Sequence, residues 1–274
     1  MNFFTCPICK EPFERVGNSL VCPKRHSFDL SRRGYVNLLR PSKSGGARHG
    51  DDKLMVAART AFLDAGFYEP LLNALKAVVC PNAAEIRTVL DAGCGEGYYT
   101  NGLREALLPM SPALAVYGID VSKDAVHAAS LRERSLRLSV ASIFDLPVAD
   151  GSVDLLVNLF APYDGKEFAR VLRDGGMLLR VFPAERHLWE LKTAVYDVPY
   201  ENEIDTFDLE GFTMTEKTHL RFPLSLDCAE QIDALFKMTP YYYKTSREGQ
   251  ARLKALNFLE THAEFYIAVY RKNA

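Results

Sequence analysis

Residues 89–100 read VLDAGCGEGYYT, and this stretch decides the fold. An apolar strand over 88–91 runs into a turn with three glycines, and a helix is predicted over 98–108. Glycine lets the backbone turn tightly and approach a ligand closely. A strand that passes through such a turn into a helix is typical of open α/β sheets, which bind nucleotide-like ligands where their parallel strands end.

The acidic residues of this turn indicate the charge of the ligand. Gly93, Gly95 and Gly97 are spaced G-x-G-x-G, whereas dinucleotide-binding loops have G-x-G-x-x-G. Asp91 and Glu96 would repel a pyrophosphate, which binds at a positive helix start, but they suit a positively charged cofactor. The combination resembles motif I of S-adenosylmethionine-dependent methyltransferases, whose cofactor is a sulfonium amino acid.

Three later strand ends fit the same resemblance. Asp120 ends the strand over 113–120, where a carboxylate can accept both ribose hydroxyl hydrogens; the alternative is an acid that interacts with the next helix dipole. Asp145 follows the third strand and either contacts the adenine or is a simple loop aspartate. Residues 158–163, NLFAPY, end the fourth strand and are predicted to line the pocket of the target base.

Strands and helices alternate along the rest of the chain. Strands are predicted over 88–91, 113–120, 136–141, 153–160 and 176–182, with helices between them; two helices, over 54–64 and 68–79, precede them. Strands over 217–226 and 262–271 flank a helix over 229–238 and are expected to form an antiparallel edge. The fold class is α/β, with a Rossmann-like, doubly wound methyltransferase sheet and a small N-terminal zinc-binding domain.

Four residues near the start of the chain have the spacing of a metal site. Cys6, Cys9, Cys22 and His26 read C-x2-C-x12-C-x3-H, and three thiolates with one imidazole suit tetrahedral Zn²⁺. Because the protein would fill all four positions, we expect one structural ion. The segment is too short to bury a sufficient core alone, so the metal would supply the missing stability.

Charge is distributed unevenly along the chain. The formal net charge is −2, but residues 1–50 hold nine basic and three acidic side chains, which leaves −8 on the other 224 residues. A segment of charge +6 on an acidic body predicts an anion-binding arm. Phe13, Phe28 and Tyr35 lie among its basic residues and either stack on nucleic-acid bases or form the core of this small segment.

The motifs together resemble the 23S ribosomal RNA (guanine-N(1)-)-methyltransferase family over the whole chain. The resemblance rests on CPxC and CPxRHxFD at the start, GYVNLL at 34–39, ARTAFLDAG at 58–66, LDAGCGEGYYT, and ERHLWELK at 185–192. It implies a zinc domain that binds a 23S rRNA hairpin, S-adenosylmethionine as cofactor, and a homodimer. It also implies cofactor contacts from Tyr68, Tyr99, Thr100 and His187.

These inferences set the expected organisation and chemistry. We expect a zinc-binding, RNA-recognition domain over 1–40, a linker over 41–52 and a methyltransferase domain over 53–274. The guanine ring nitrogen bears a proton that must leave, and Asp64 and His187, which flank the predicted pocket, are the candidate bases. No apolar run approaches the roughly 20 residues of a membrane span, and the start lacks the features of a signal peptide, so we expect a cytoplasmic protein.

Other functions explain less of the sequence. A small-molecule methyltransferase leaves the +6 segment without a role, and a non-catalytic zinc-dependent RNA-binding protein leaves Asp91, the glycine turn and Asp120 without one. A nicotinamide oxidoreductase is disfavoured by the glycine spacing and by Glu96.

Overall fold

The computed structural model of the chain describes residues 3–40, 50–204 and 206–274, so residues 41–49 of the predicted linker lie outside the described residues. The strands are β1 (Glu14–Val16), β2 (Ser19–Val21), β3 (Ser27–Asp29), β4 (Val36–Asn37), β5 (Thr88–Ala92), β6 (Ala115–Asp120), β7 (Arg137–Val140), β8 (Val153–Leu159), β9 (Leu172–Pro183), β10 (Phe212–Leu226) and β11 (Leu259–Lys272). The helices are α1 (Lys53–Asp64), α2 (Glu69–Val79), α3 (Tyr98–Leu107), α4 (Lys123–Arg132), α5 (Gly165–Val171), α6 (Trp189–Val195), α7 (Ala229–Lys237), α8 (Tyr241–Lys244) and α9 (Arg247–Lys254).

A single eight-stranded sheet organises the larger part of the molecule. Its order is β10-β11-β9-β8-β5-β6-β7-β4. The strands from β5 to β9 pair in parallel, whereas β11 pairs antiparallel with both β9 and β10. The predicted doubly wound α/β sheet with an antiparallel edge is therefore confirmed.

The strand order places a switch point between β5 and β8. The chain runs outward from β5 through β6 to β7 and then returns to β8 on the other side of β5. In open α/β sheets, ligands bind outside the carboxyl ends of the strands at such a point. The glycine turn after β5 and residues 160–162 after β8 face each other there, because a Cβ placed on Gly93 would overlap that of Ala161.

Residues 3–40 contain a small antiparallel sheet, β1-β2-β3, and the short strand β4, which joins the large sheet. Strand β4 pairs in parallel with β7, and Leu38 donates its backbone N–H to Val140. Phe4, Phe13 and Leu20 are buried in one apolar cluster that also contains core residues of β5, β6 and β8. The small sheet therefore shares a hydrophobic core with the large one.

Most elements lie where the hydrophobic pattern predicts them, with shifts at their ends. Ser122 caps α4, since its Oγ accepts a 3.2 Å hydrogen bond from the N–H of Ala125. Strand β9 begins four residues earlier than predicted, and α6 and α9 were not predicted. Within the described residues, no helix combines the length and apolar character that a membrane crossing needs.

Candidate functional site

The four predicted metal ligands converge at one end of the small sheet. The ligand atoms of Cys6, Cys9, Cys22 and His26 all lie within 4.8 Å of one another. Nδ1 of His26 lies 3.5 Å from Sγ of Cys6 and 3.3 Å from Sγ of Cys22. Three thiols and one imidazole at these separations are a donor set that fits tetrahedral zinc, with all four positions supplied by the chain.

The turn after Cys22 favours the thiolate that a metal requires. Burial alone would raise the pKa of the Cys22 thiol, but hydrogen bonds, first from the backbone N–H of His26, lower it to about 7. The N–H of His26 lies 3.3 Å from this sulfur. Metal ligation needs a deprotonated thiol, so this turn prepares the site for an ion.

The aromatic side chains of the small sheet belong mainly to its core. Phe13 and Tyr35 are buried, and the ring of Phe13 meets that of Phe28 edge to face at 5.5 Å. Of the two interpretations left open by the sequence, the core role therefore holds for Phe13 and Tyr35.

Two exposed basic residues of the N-terminal segment lie beside a carboxylate of the larger part of the molecule. Lys10 forms an ion pair with Asp145, and Arg40 lies 3.7 Å from the same carboxylate. Asp145 thus contacts the small sheet, and its predicted adenine contact stays a prediction. Five other basic residues are exposed and form no ion pair with any described carboxylate: Arg15, Lys24, Arg25, Arg32 and Arg33.

The glycine turn has a backbone that other residues would strain. Gly93, Gly95 and Gly97 have φ values of +100°, +54° and +86°, the left-handed region that favours glycine. A Cβ on Gly97 would lie 3.0 Å from that of Ala129, on α4. The turn therefore brings bare backbone to the carboxyl edge of β5, where a ligand can approach closely.

Asp91 carries an unused acceptor at this edge. One carboxylate oxygen accepts a 2.6 Å hydrogen bond from the Thr100 hydroxyl, but the other, Oδ1, is buried without a partner. The Tyr99 hydroxyl is also buried and unpaired. Burial raises the pKa of the Asp91 carboxyl to about 7, against the effect of the Thr100 hydrogen bond, and nearby Asp120 adds to the rise. These two buried polar atoms lack hydrogen-bond partners, and a bound ligand with polar atoms of its own would supply them.

Asp120 ends β6 and is bonded to the same turn. Its Oδ2 accepts a 2.9 Å hydrogen bond from the N–H of Gly95, and its Oδ1 accepts one of 2.8 Å from the N–H of Ser122. Burial raises the pKa of this carboxyl, while these two N–H groups lower it. Asp120 thus fixes the turn to the start of α4, and its ribose contact stays a prediction.

The role predicted for Glu96 is wrong. Its side chain is only 3% exposed and is paired with Arg132 at 2.5 Å, so its charge is compensated within the protein. The same guanidinium donates a 2.8 Å hydrogen bond to Asp64. Glu96 and Asp64 therefore both pair with Arg132, the last residue of α4, and the negative charge at the turn comes from Asp91 and Asp120.

His187 is buried among aromatic rings with both nitrogens occupied. Its Nδ1 accepts a 3.1 Å hydrogen bond from the N–H of Glu264, so the proton of the neutral ring is on Nε2, which lies 3.5 Å from the Tyr68 hydroxyl. Burial lowers the pKa of His187 to about 3. The ring lacks a free lone pair for a substrate proton, and this geometry argues for positioning instead of proton transfer.

Three contacts at this edge were missed by the sequence reasoning. Arg59 is paired with Asp51 and also donates to the carbonyl of Met238 at 3.3 Å. Its guanidinium would lie 3.6 Å from a Cβ on Gly95, so a positive group borders the turn. Arg59 is part of ARTAFLDAG, so a signal was present in the sequence, but its partner Asp51 was assigned to the linker.

Comparisons with known proteins match both parts of the chain. The zinc-ribbon family described as "RlmA, N-terminal" matches residues 4–43, and the methyltransferase domain family matches residues 89–176. A Bacillus subtilis (strain 168) protein, YxjB, provisionally named 23S rRNA (guanine-N(1)-)-methyltransferase, is 33% identical over 99% of this chain and 98% of its own.

Two further relatives cover less of the chain at higher identity. A Micromonospora griseorubida protein with the same provisional name is 40% identical over 68% of this chain and 67% of its own. The 23S rRNA (guanine(748)-N(1))-methyltransferase of Streptomyces fradiae is 37% identical over 71% of this chain and 68% of its own.

Proposed function

Because the chain belongs to the 23S rRNA (guanine-N(1)-)-methyltransferase family, we propose that it transfers the methyl group of S-adenosylmethionine to N1 of one specific guanine in a 23S rRNA hairpin loop. The observation that carries this proposal is the acidic glycine turn with two orphaned polar atoms, Asp91 Oδ1 and the Tyr99 hydroxyl. A ligand with a positive charge and donor groups satisfies this site better than a phosphate does.

Different residues of the chain would hold different parts of the cofactor. Asp91 and the turn 93–97 would hold the amino-acid end of the cofactor, and Asp120 lies at the strand end where a ribose is held in such folds. Tyr68, Tyr99, Thr100 and His187 support this proposal by their position around the same edge. When bound, the cofactor supplies an electrophilic methyl group. Alignment by a preformed site can lower such a barrier by up to about 7–11 kcal/mol.

The base that takes the guanine proton stays a prediction. Asp64 shares Arg132 with Glu96, and the Nδ1 lone pair of His187 is used by the backbone. We therefore propose that neither residue takes the proton, that both position neighbouring groups, and that the proton leaves through water.

We further propose that residues 1–40 hold one structural zinc ion and bind the RNA. The five exposed basic side chains of this segment support phosphate contacts. The domain bounds 1–40 and 53–274, the homodimer and the cytoplasmic location remain expectations; light scattering of the purified chain tests the homodimer.

Labelling of rRNA tests the proposed function. The full chain is incubated with methyl-labelled S-adenosylmethionine and 23S rRNA from cells that lack the activity. We expect one labelled guanine and a reverse-transcription stop there, since a methyl on N1 blocks base pairing. Asp120→Asn should lose labelling, whereas Asp197→Asn, which alters a side chain that is 84% exposed, should not. Label in a metabolite extract with none in rRNA would overturn the proposal.

A further inference from the structure

Phe160 is a partly exposed aromatic residue at the carboxyl edge of the large sheet, next to buried residues. Its side chain is 43% exposed, whereas the two preceding residues, Asn158 and Leu159, are 2% and 6% exposed. It follows β8 directly, at the carboxyl edge where ligands bind in this fold. A partly exposed aromatic side chain at this edge is accessible to a ligand that binds there.

The backbone of Phe160 is held in a conformation that bulky residues rarely adopt. Its φ is +55°, in the left-handed region. Its N–H donates to the carbonyl of Val181 at 3.0 Å, and the Asn158 amide donates to the carbonyls of Ala92 and Pro162, both at 3.0 Å. Strain that the surroundings enforce in this way is concentrated at functional sites.

The ring of Phe160 lies between the start of α3, which follows the glycine turn, and the aromatic rings around His187. Its centroid is 6.2 Å from that of Tyr99, at the start of α3, and 5.2 Å from that of Phe265. Phe265 in turn lies 4.6 Å from His187. The ring of Phe160 therefore lies beside Tyr99 and Phe265 at the carboxyl edge of the sheet, while the residue stays 43% exposed.

We propose that Phe160 is the stacking platform for the target guanine, and this inference rests on the proposed function. N1 of a paired guanine is hidden in the base pair, so the nucleotide must be unpaired and extruded before transfer. An aromatic face accepts the extruded base and replaces the stacking it has lost. A rigid turn that presents this face beside the cofactor turn would also fix the direction from which N1 approaches.

Substitutions at Phe160 test whether an aromatic ring is needed there or whether any apolar side chain suffices. We expect kcat/KM for RNA to fall at least fivefold in Phe160→Ala and Phe160→Leu, because removing the aromatic side chain under a stacked base weakens binding roughly 5- to 150-fold. Phe160→Tyr and Phe160→Trp should stay within about threefold of the unaltered chain. The affinity for S-adenosylhomocysteine should be unchanged in all four. Met110→Ala is the control, because Met110 is 47% exposed and lies before β6, at the opposite edge.

A second readout reports stacking itself. The chain has one tryptophan, Trp189, so F160W adds a reporter whose fluorescence should be quenched when the 23S rRNA fragment binds, far more than that of the unaltered chain. Equal kcat/KM in the leucine and tryptophan variants, or no added quenching in F160W, would overturn the stacking role while leaving the methyltransferase intact. Absence of rRNA labelling by the unaltered chain would instead overturn the proposed function, and this inference with it.

Discussion

The ring of Phe3 stacks on the ring of Tyr117, with their centroids 3.6 Å apart and their planes inclined by 20°. Tyr117 lies in β6, the strand that ends at Asp120. Thr5 extends the same contact, because its N–H donates to the carbonyl of Pro147 at 2.8 Å. The zinc-binding segment is therefore packed against a strand that builds the cofactor edge, and we expect the two parts to fold together.

Loss of one metal ligand should consequently weaken the whole chain. Cys9→Ser removes one thiolate and should abolish stoichiometric zinc binding, lowering the free energy of unfolding by about 4 kcal/mol or more. Because the core is shared, affinity for S-adenosylhomocysteine should fall as well. Zinc content, calorimetric unfolding and titration calorimetry measure these effects, with Cys80→Ser as the control since Cys80 lies outside the cluster. A body that unfolds at its original temperature would contradict a common folding unit.

The glycine turn offers a matched pair of substitutions. Gly93→Ala combines a φ of +100° with overlap against Ala161, and should cost roughly 3 kcal/mol or more and abolish cofactor binding. Gly151→Ala has a φ of +60° but no atom within 4 Å of the new Cβ, so it should cost only about 1–2 kcal/mol and leave binding unchanged. Thermal unfolding and S-adenosylhomocysteine titration distinguish the two; similar losses of binding would contradict the close approach.

Cofactor binding should depend on the ionisation of Asp91. Since burial raises its pKa to about 7, the carboxylate is increasingly charged as pH rises through 7, and affinity for S-adenosylhomocysteine should rise and then level off. Asp91→Asn should bind at least roughly tenfold more weakly at pH 8, one charge-assisted hydrogen bond being worth about 1.5–3 kcal/mol, with a flat profile around pH 7. Thr100→Val removes a hydrogen bond that lowers the pKa, so its midpoint should shift upward. A pH-independent affinity of the unaltered chain would contradict this assignment.

His187 should make the chain less stable in mild acid. Burial sets its folded pKa at about 3, below the roughly 6.5 of an unfolded histidine. The neutral His187 ring thus makes its full contribution to the free energy of unfolding above about pH 6.5. This contribution is lost as pH falls toward 3, by at most about 1.4 kcal/mol per pH unit. His187→Gln should flatten this slope in denaturant titrations at pH 4–7. Single-turnover methylation in the variant should stay pH-dependent; loss of that dependence would restore His187 as the base.

Local patterns predicted the central strands β5 to β8 well because these strands are short and largely buried. The zinc ligands were equally accessible, since four residue types at fixed spacing define the site. Strand β4 could not be found, because two residues carry no period and Val36 pairs with Ser139, about a hundred residues away.

The roles of the charged residues in the site were harder to predict from the sequence than the path of its backbone. Glu96 was given to the cofactor because its partner Arg132 lies 36 residues later, on another helix. Asp145 was given two possible roles, an adenine contact or a simple loop aspartate, and its ion pair with Lys10 joins two residues 135 positions apart in the chain. Residue type and order do not reveal which opposite charge the fold will bring to a carboxylate, and these pairings needed the structure.

The attachment of β4 to β7 has a consequence for chimeras between relatives. A graft cut at residue 40 would carry over β4 and Phe3 but leave Tyr117, Asp145 and the edge of β7 from the recipient. Side chains from two different relatives would then have to pack against each other, in a contact that extends to the carboxyl edge of the large sheet. A graft between relatives should therefore carry the first 40 residues together with β6, β7 and the turn over 141–148, segments distant in sequence that must be transplanted together.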